Sequence, residues 1–120
     1  MKILVVEPNN NPYVKDIEKG YKSLQNEVSG YIEVVYPFED QVALICNEEG
    51  KLMSMPLNRA LYDETGKIYD IIAGTFLVVG LSEDDFTDLS DELIQKFKQH
   101  FKNPEQFIKM NGQIISIPIE

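Results

Sequence analysis

The stretch GTFLVVG (residues 74–80) is an apolar run of strand length enclosed by two glycines. Such a run is typical of a strand in the interior of a sheet, because β-branched and aromatic side chains suit a buried pleated surface. KILVVEP (residues 2–8) and QVALIC (residues 41–46) predict two further strands. YIEVVYPF (residues 31–38) predicts another, and Pro37 ends it or marks it as an edge strand.

Two segments have the spacing of amphipathic helices. In the first, Asp16 is a candidate N-cap and Gly30 a candidate end, and the apolar face is Ile17, Tyr21, Leu24 and Val28. In the second, acidic residues crowd the start and lysines the end, which complements the helix dipole. Its apolar face is Leu89, Leu93, Phe97 and Phe101, with Ile94 beside them. Asn103 and Pro104 stop it.

Two similar segments, ICNEEGKLM (residues 45–53) and LYDETGKIY (residues 61–69), each predict a turn that closes a hairpin. Gly50 and Gly66 are the expected left-handed positions. Neither Gly-Lys pair predicts a phosphate loop, because Ile45 and Leu61 stand where that loop needs its first glycine. The segment between them, PLNRALYD, reads as a short helical turn or crossing segment.

The last stretch, QIISIPIE (residues 113–120), alternates isoleucines and contains Pro118, which predicts a strand at a sheet edge. We expect this strand to be covered by the C-terminal helix or by the same strand of a second copy. The pattern as a whole predicts one α+β domain over residues 1–120. Its sheet is mainly antiparallel or mixed, with about five to six strands and two helices.

The charge of the chain limits its partners. There are 20 acidic and 11 basic residues, for a formal net charge of −9. Such a chain repels phosphate and anionic membranes, so we expect no direct nucleic-acid or membrane partner. A DNA mimic would need dense acidic rows, and solvated surface carboxylates are the better interpretation. One cysteine excludes an intrachain disulfide, and the early turn residues argue against a signal peptide, so we expect a cytoplasmic protein.

The candidates for chemistry are isolated in the sequence. His100 lies at a helix end that favours a histidine, and Cys46 is expected to be a small buried hydrophobe. The acidic stretch at residues 83–85 lacks the spacing of a calcium loop. Glu7 and Glu33 have no identifiable partners, which leaves a two-carboxylate hydrolase open without arguing for one. We therefore expect no catalytic residues, no metal and no cofactor, and we expect a binding protein rather than an enzyme.

Arg59 is the only arginine, and the other ten basic residues are lysine. A guanidinium provides several directed donors and tolerates burial better than an ammonium group. The first interpretation is a structural tie to a carboxylate or to strand-end carbonyls. The second is a ligand or partner contact for an anion, formed by Asn58, Arg59 and Tyr62.

The segments GYIEVVYPF, ALICNEEGKL, PLNRAL, GKIYDIIAGTFLVVG and LSDELI resemble the domain-of-unknown-function 3846 family. The resemblance extends from the first strand to the end of the DELIQKF helix, and PLNR and DIIAGT look like family hallmarks. It carries no known reaction and no functional residues. It implies a setting, because these small proteins are encoded largely by phages, plasmids and conjugative elements of Firmicutes and related bacteria. The last segment, PEQFIKMNGQIISIPIE, departs from the family pattern.

Two hypotheses follow. The first is an accessory protein of a mobile element that acts without catalysis by binding a host or element-encoded protein, as a monomer or homodimer. Counter-defence is one use of such binding. The second is a protein that binds, or acts on, a small anionic metabolite anchored by Arg59.

Overall fold

A computed structural model gives the structure of residues 1–120 as ten strands and two helices. In chain order these are β1 (Lys2–Val6), β2 (Tyr13–Asp16), α1 (Tyr21–Val28), β3 (Ile32–Val35), β4 (Val42–Asn47), β5 (Leu57–Tyr62), β6 (Ile68–Ala73), β7 (Phe76–Leu81), β8 (Phe86–Thr87), α2 (Asp91–His100), β9 (Glu105–Met110) and β10 (Gln113–Pro118). Neither helix has the length and apolar composition that crossing a bilayer requires.

The main sheet has the order β2-β1-β7-β4-β3, and the short β8 pairs with β7. Every pairing in it is antiparallel. β7, which contains most of the GTFLVVG stretch, lies in the middle, so the prediction of an interior strand is confirmed. The α+β class with a mainly antiparallel sheet of five to six strands is confirmed as well.

The main sheet is buried on both faces, which is why its central strands are continuously apolar rather than alternating. On one face α1 packs Leu24 and Val28 over Ile3, Val5, Ala43, Ile45, Leu77 and Val79. On the other face, α2 and the ribbon β5–β6 pack over the sheet. The apolar core there is Leu4, Val6, Val42, Leu44, Cys46, Leu61, Ile72, Phe76, Val78, Leu89, Ile94, Phe97 and Phe101.

The segment predicted as a helical turn or crossing segment is strand β5, so that prediction is wrong. β5 pairs antiparallel with β6 in a separate two-stranded sheet, which we call the ribbon. Its four central residues, 58–61, are all buried. A strand forms because the ribbon lies across the core and buries Leu61 and Ile72 against it.

Only one of the two predicted hairpin turns exists. Gly66 has φ 85° and closes the β5–β6 hairpin, with the Asp63 amide donating to the Lys67 carbonyl at 2.8 Å. Gly50 is not left-handed and closes no hairpin, because β4 and β5 belong to different sheets. It is a glycine for another reason: a Cβ there would lie 2.7 Å from the Ala73 carbonyl oxygen.

The first helix is shorter than predicted. Asp16 lies in the edge strand β2 rather than at a helix N-cap, and Ile17 follows that strand. The helix begins after Gly20, its buried residues are Leu24 and Val28, and Tyr21 is 68% exposed. Ser29, with φ 64°, provides the left-handed C-cap just before Gly30. The turn residues before β2 reverse the direction of the chain, so residues 13–16 form a strand that pairs antiparallel with β1.

The second helix begins and ends close to its predicted bounds. The Ser90 hydroxyl accepts a bond from the Leu93 amide, and acidic residues fill the first turn. After the helix, β9 and β10 form a two-stranded hairpin. The predicted C-terminal strand is confirmed, but its neighbour is β9 and not α2, so the expected cover by the helix is wrong.

Candidate interaction surface

A β-bulge in β5 buries two consecutive polar side chains. The register shifts between Leu57 and Arg59, so Asn58 has no partner opposite it on β6. In a regular strand neighbouring side chains point to opposite faces, and a bulge breaks that alternation. Asn58 is 1% exposed and Arg59 is 0% exposed.

The Arg59 guanidinium binds main-chain carbonyls from distant parts of the chain. Nε and Nη2 donate to the Phe101 carbonyl oxygen at 3.1 and 2.8 Å, and Nη2 also donates to the Asn10 carbonyl oxygen at 2.8 Å. Nη1 donates to Asn58 Oδ1 at 2.8 Å. The predicted tie to carbonyls is therefore present, but the carbonyls lie at the end of α2 and in the turn after β1 rather than at strand ends.

Asn58 completes this tie. Its Nδ2 donates to the carbonyl oxygens of Val6 and Gly74, both at 2.9 Å. These carbonyls stand at the end of β1 and in the β6–β7 turn. Asn58 and Arg59 together, which we call the Asn-Arg tie, therefore fasten the ribbon to one end of the main sheet.

The Asn-Arg tie contains a buried cation without a contacting carboxylate. None of the five ion pairs of the chain includes Arg59. Burial lowers the pKa of Arg59, and the nearby charge of Glu105 acts in the opposite direction. Carbonyl dipoles provide the solvation that water would otherwise give. The third residue of the predicted ligand contact, Tyr62, is 47% exposed and lies at the end of β5, apart from the buried pair.

Glu105 joins the C-terminal hairpin to the ribbon. Its Oε1 accepts bonds from the Ala60 amide at 3.2 Å and from the Ser116 hydroxyl at 2.5 Å. Ala60 directly follows Arg59, and Glu105 is the first residue of β9. The Asn-Arg tie and Glu105 thus fix the ribbon and the hairpin relative to each other.

A cleft of about 690 Å³ opens between the ribbon and the start of β10. The residues that line it are Lys51, Leu57, Lys67, Ile68, Tyr69, Asp70, Ile71, Gln113 and Ile114. At one side the Lys51 ammonium group pairs with Asp70 at 2.5 Å, and Asp70 also accepts the Ile71 amide at 2.8 Å. The sequence did not indicate these residues as a set, because they come together only through the packing of the ribbon, the C-terminal hairpin and the connection between β4 and β5.

Tyrosine and phenylalanine are divided between the surface and the interior. None of the six phenylalanine side chains is exposed, whereas all six tyrosine side chains are exposed. The exposed fractions are 39% for Tyr13, 68% for Tyr21, 70% for Tyr31, 63% for Tyr36, 47% for Tyr62 and 55% for Tyr69. Tyr69 lines the cleft, and Tyr62 is close to it, because it pairs with the cleft residue Ile68.

Two of the isolated candidates for chemistry, Cys46 and Glu33, come together, and the Cys46 thiol donates to Glu33 Oε1 at 3.7 Å. Cys46 is buried, and desolvation together with the Glu33 carboxylate raises its pKa to about 12, so the thiol is protonated at neutral pH. His100 stacks edge-on against Phe38 and Phe101, and partial burial lowers its pKa. No group of three or more His, Cys, Asp or Glu side chains is arranged to hold a metal ion.

Comparison with known proteins gives one match. A family model described as a domain of unknown function, DUF3846, matches residues 1–102. No curated protein and no solved structure matches the chain. The matched part contains the main sheet, both helices and the ribbon, while the hairpin β9–β10 lies outside it.

Proposed function

This chain belongs to the DUF3846 family, and we propose that it is a non-enzymatic module that binds another protein. Its partner is a host protein or a protein encoded by the same element. The setting is the one that the family resemblance implies: a cytoplasmic accessory protein of a mobile genetic element. Counter-defence is one use of such binding.

The cleft between the ribbon and the hairpin is the observation that carries this proposal. Its lining combines aliphatic residues and an exposed tyrosine, which are typical of the centre of a protein interface, with an ion pair at one side, which suits the polar rim. Tyrosines on the surface add to this argument, because tyrosine contributes large contact area at a low entropic cost and is enriched at binding hot spots.

Both walls of the cleft are hydrogen-bonded to other parts of the molecule, which lowers the ordering cost of binding. One wall is the ribbon, fixed by the Asn-Arg tie to carbonyls of Val6, Gly74 and Phe101. The other is the hairpin, fixed through Glu105. Asn58, Arg59 and Gly74 belong to the PLNR and DIIAGT segments that look like family hallmarks. They therefore support the binding surface without touching the partner.

The net charge of −9 agrees with a protein partner. A nucleic acid or an anionic membrane would be repelled, and the cleft offers only Lys67 as a cation that is free of an ion pair. A partner segment with apolar side chains and a few acidic or neutral polar groups fits this lining.

A pull-down with matched variants tests the proposal. Tyr69→Lys and Ile114→Lys each place a charge in the cleft, whereas Tyr21→Lys makes the same kind of change on α1, on the opposite face of the main sheet. We expect the parent and Tyr21→Lys to retain one partner in a stoichiometric amount, and both cleft variants to lose it. Recovery of the protein alone, or equal capture by all four proteins, would contradict the proposal.

The alternative is the binding of a small anionic metabolite at Asn58, Arg59 and Tyr62. It has less support, because the guanidinium is 0% exposed and its donors already bind carbonyls and Asn58. Thermal unfolding in the presence of nucleotides and cyclic dinucleotides separates the two functions, since a ligand of the native state raises the melting temperature. We expect no rise, and a saturable rise with one anion would favour the alternative.

A further inference from the structure

The ribbon has two outer edges, and the amides at its middle point towards them. Neither β5 nor β6 pairs with any strand except the other, and Ala60 lies opposite Ile71. The Ala60 amide donates to the Glu105 carboxylate at 3.2 Å. The Ile71 amide donates to the Asp70 carboxylate at 2.8 Å. Because both amides turn away from the opposite strand, Ala60 and Ile71 form a non-hydrogen-bonded pair, in which the N–H and C=O groups of both residues point outward.

The two carboxylates close these edges unequally. Glu105 belongs to β9 and also accepts the Ser116 hydroxyl, so the hairpin covers the edge of β5. Asp70 is a residue of β6 itself, and its only other partner is Lys51. The side chains of Asp70 and Lys51 are 41% and 59% exposed, and exposed ion pairs contribute little to stability. The edge of β6 is therefore closed only by a local cap that a partner can displace.

The edge of β6 lies along the cleft. A cleft over one face of a strand is lined by every second residue, because successive side chains point to opposite faces. This cleft is lined by five successive residues, 67–71, as expected where an edge is open. Beyond residue 71 the edge is covered, since a Cβ on Gly50 would lie 2.7 Å from the Ala73 carbonyl oxygen. The open edge is therefore about 17 Å long.

We propose that the cleft binds an extended segment of the partner protein, which pairs with β6 as a third strand of the ribbon. This occupant, which presupposes the proposed function, is specified by backbone chemistry. A carbonyl of the segment accepts the Ile71 N–H in place of Asp70, and an N–H of the segment donates to the Ile71 carbonyl. A helix does not fit, because its own hydrogen bonds already use its backbone groups. Strand addition at an open sheet edge is a recurrent mode of peptide recognition.

The lining of the cleft selects the side chains of the segment. An added strand directs alternate side chains to one face, and Gln113 and Ile114 form the wall opposite β6. We therefore expect apolar side chains at every second position of the segment, in contact with Ile114 and Tyr69. Lys67 is the one lysine of the cleft outside the ion pair, so we expect an acidic side chain beside it.

A synthetic peptide tests this pairing. Linear peptides of about 12 residues, long enough to span the open edge, are selected from a random library on the parent protein, and one selected peptide becomes the probe. Amide hydrogen exchange is then followed by NMR with and without the peptide. We expect exchange at Ile71 to slow by about tenfold or more, because its amide enters a sheet ladder. The amides of β2, at the exposed edge of the main sheet, should keep their rates.

Methylation of the peptide backbone shows whether the peptide binds as a strand. Each N-methyl group removes one donor, and only every second amide of an added strand points at β6. We expect methylation to weaken binding by about tenfold at alternate positions and to have little effect between them. A library without a binder, unchanged exchange at Ile71 or a methyl scan without alternation would overturn strand addition. The proposed function would survive these results, because a partner that fills the cleft with a folded surface is still lost from Tyr69→Lys in the pull-down.

Removal of the Asp70 cap tests its displacement by the segment. Asp70→Ala leaves the Ile71 amide without a competing acceptor, so we expect the peptide to bind about two- to fivefold more tightly. Asp85→Ala is the matched control, because it removes the same charge and Asp85 also caps the next amide, that of Phe86, at 2.7 Å. Asp85 lies just before β8 and outside the cleft, so this variant should bind as the parent does. Equal or weaker binding by Asp70→Ala would contradict displacement of the cap.

Discussion

Arg59 shows why this chain uses one guanidinium among ten lysines. The site offers the carbonyls of Asn10 and Phe101 and the amide oxygen of Asn58 to one buried group. A planar group with several fixed donors can satisfy all of them, whereas an ammonium group is a compact point charge that needs hydration. The composition predicted a structural tie, but it could not identify its partners, because they lie 49 and 42 residues away in sequence.

Substitution of Arg59 tests the tie. Arg59→Met leaves the three acceptors without donors, and we expect the free energy of unfolding to fall by about 1.5–3 kcal/mol or more, the usual contribution of a hydrogen bond to a charged group. Arg59→Lys should recover only part of this loss. Denaturant titration measures both. Lys19→Met, at an exposed lysine, is the control and should change stability by less than about 0.5 kcal/mol. If all three variants match the parent, the Asn-Arg tie contributes nothing.

Cys46 provides a second test at the scale of one residue. The thiol is 6% exposed, and burial beside Glu33 raises its pKa to about 12. The nucleophile in alkylation is the thiolate, so we expect very slow modification of the native protein by iodoacetamide at pH 8 and rapid modification after unfolding in denaturant. Complete modification of the native protein within minutes would show that Cys46 is an accessible, activated thiol.

The helices and strands that were predicted correctly are those whose own pattern of apolar and polar residues determines their structure. β1, β4 and β7 are apolar runs buried on both faces, and α2 has a regular apolar face with an N-cap serine. β5 was missed because its central residues are held inside by a bulge and by contacts with distant segments. β2 and β9 were missed because their pairing partners, rather than their own sequences, stabilise them.

Substitution of Gly50 tests how the connection between β4 and β5 packs against β6. The similar segments around Gly50 and Gly66 indicated the same turn twice, but only Gly66 is left-handed. We expect Gly50→Ala to lower the free energy of unfolding by about 1–3 kcal/mol, because the new Cβ would press on the Ala73 carbonyl oxygen 2.7 Å away.

Gly66→Asn is the control for this substitution, since asparagine tolerates the left-handed conformation and no atom lies within 4 Å of a Cβ there. It should leave stability nearly unchanged in the same denaturant titration. An unchanged Gly50→Ala variant would mean that the connection moves freely away from β6.

At the scale of the whole molecule, the chain divides into a body and an added hairpin. The family match covers the body, and the Asn-Arg tie fastens the ribbon to it. The hairpin supplies one wall of the cleft. The sequence predicted the α+β body and an apolar strand at the end, but it could not place the cleft, because this depends on how the ribbon, the C-terminal hairpin and the connection between β4 and β5 pack together.

Photo-crosslinking inside the native cell is the most direct test of whether the cleft binds a protein partner. A photoreactive phenylalanine replaces Tyr69 in the cleft or, as the matched control, Tyr21 on α1; the two tyrosines are 55% and 68% exposed. We expect one defined crosslinked product, larger than a single chain and containing a second protein, at position 69 and none at position 21. No product at position 69, or the same product at both positions, would contradict it.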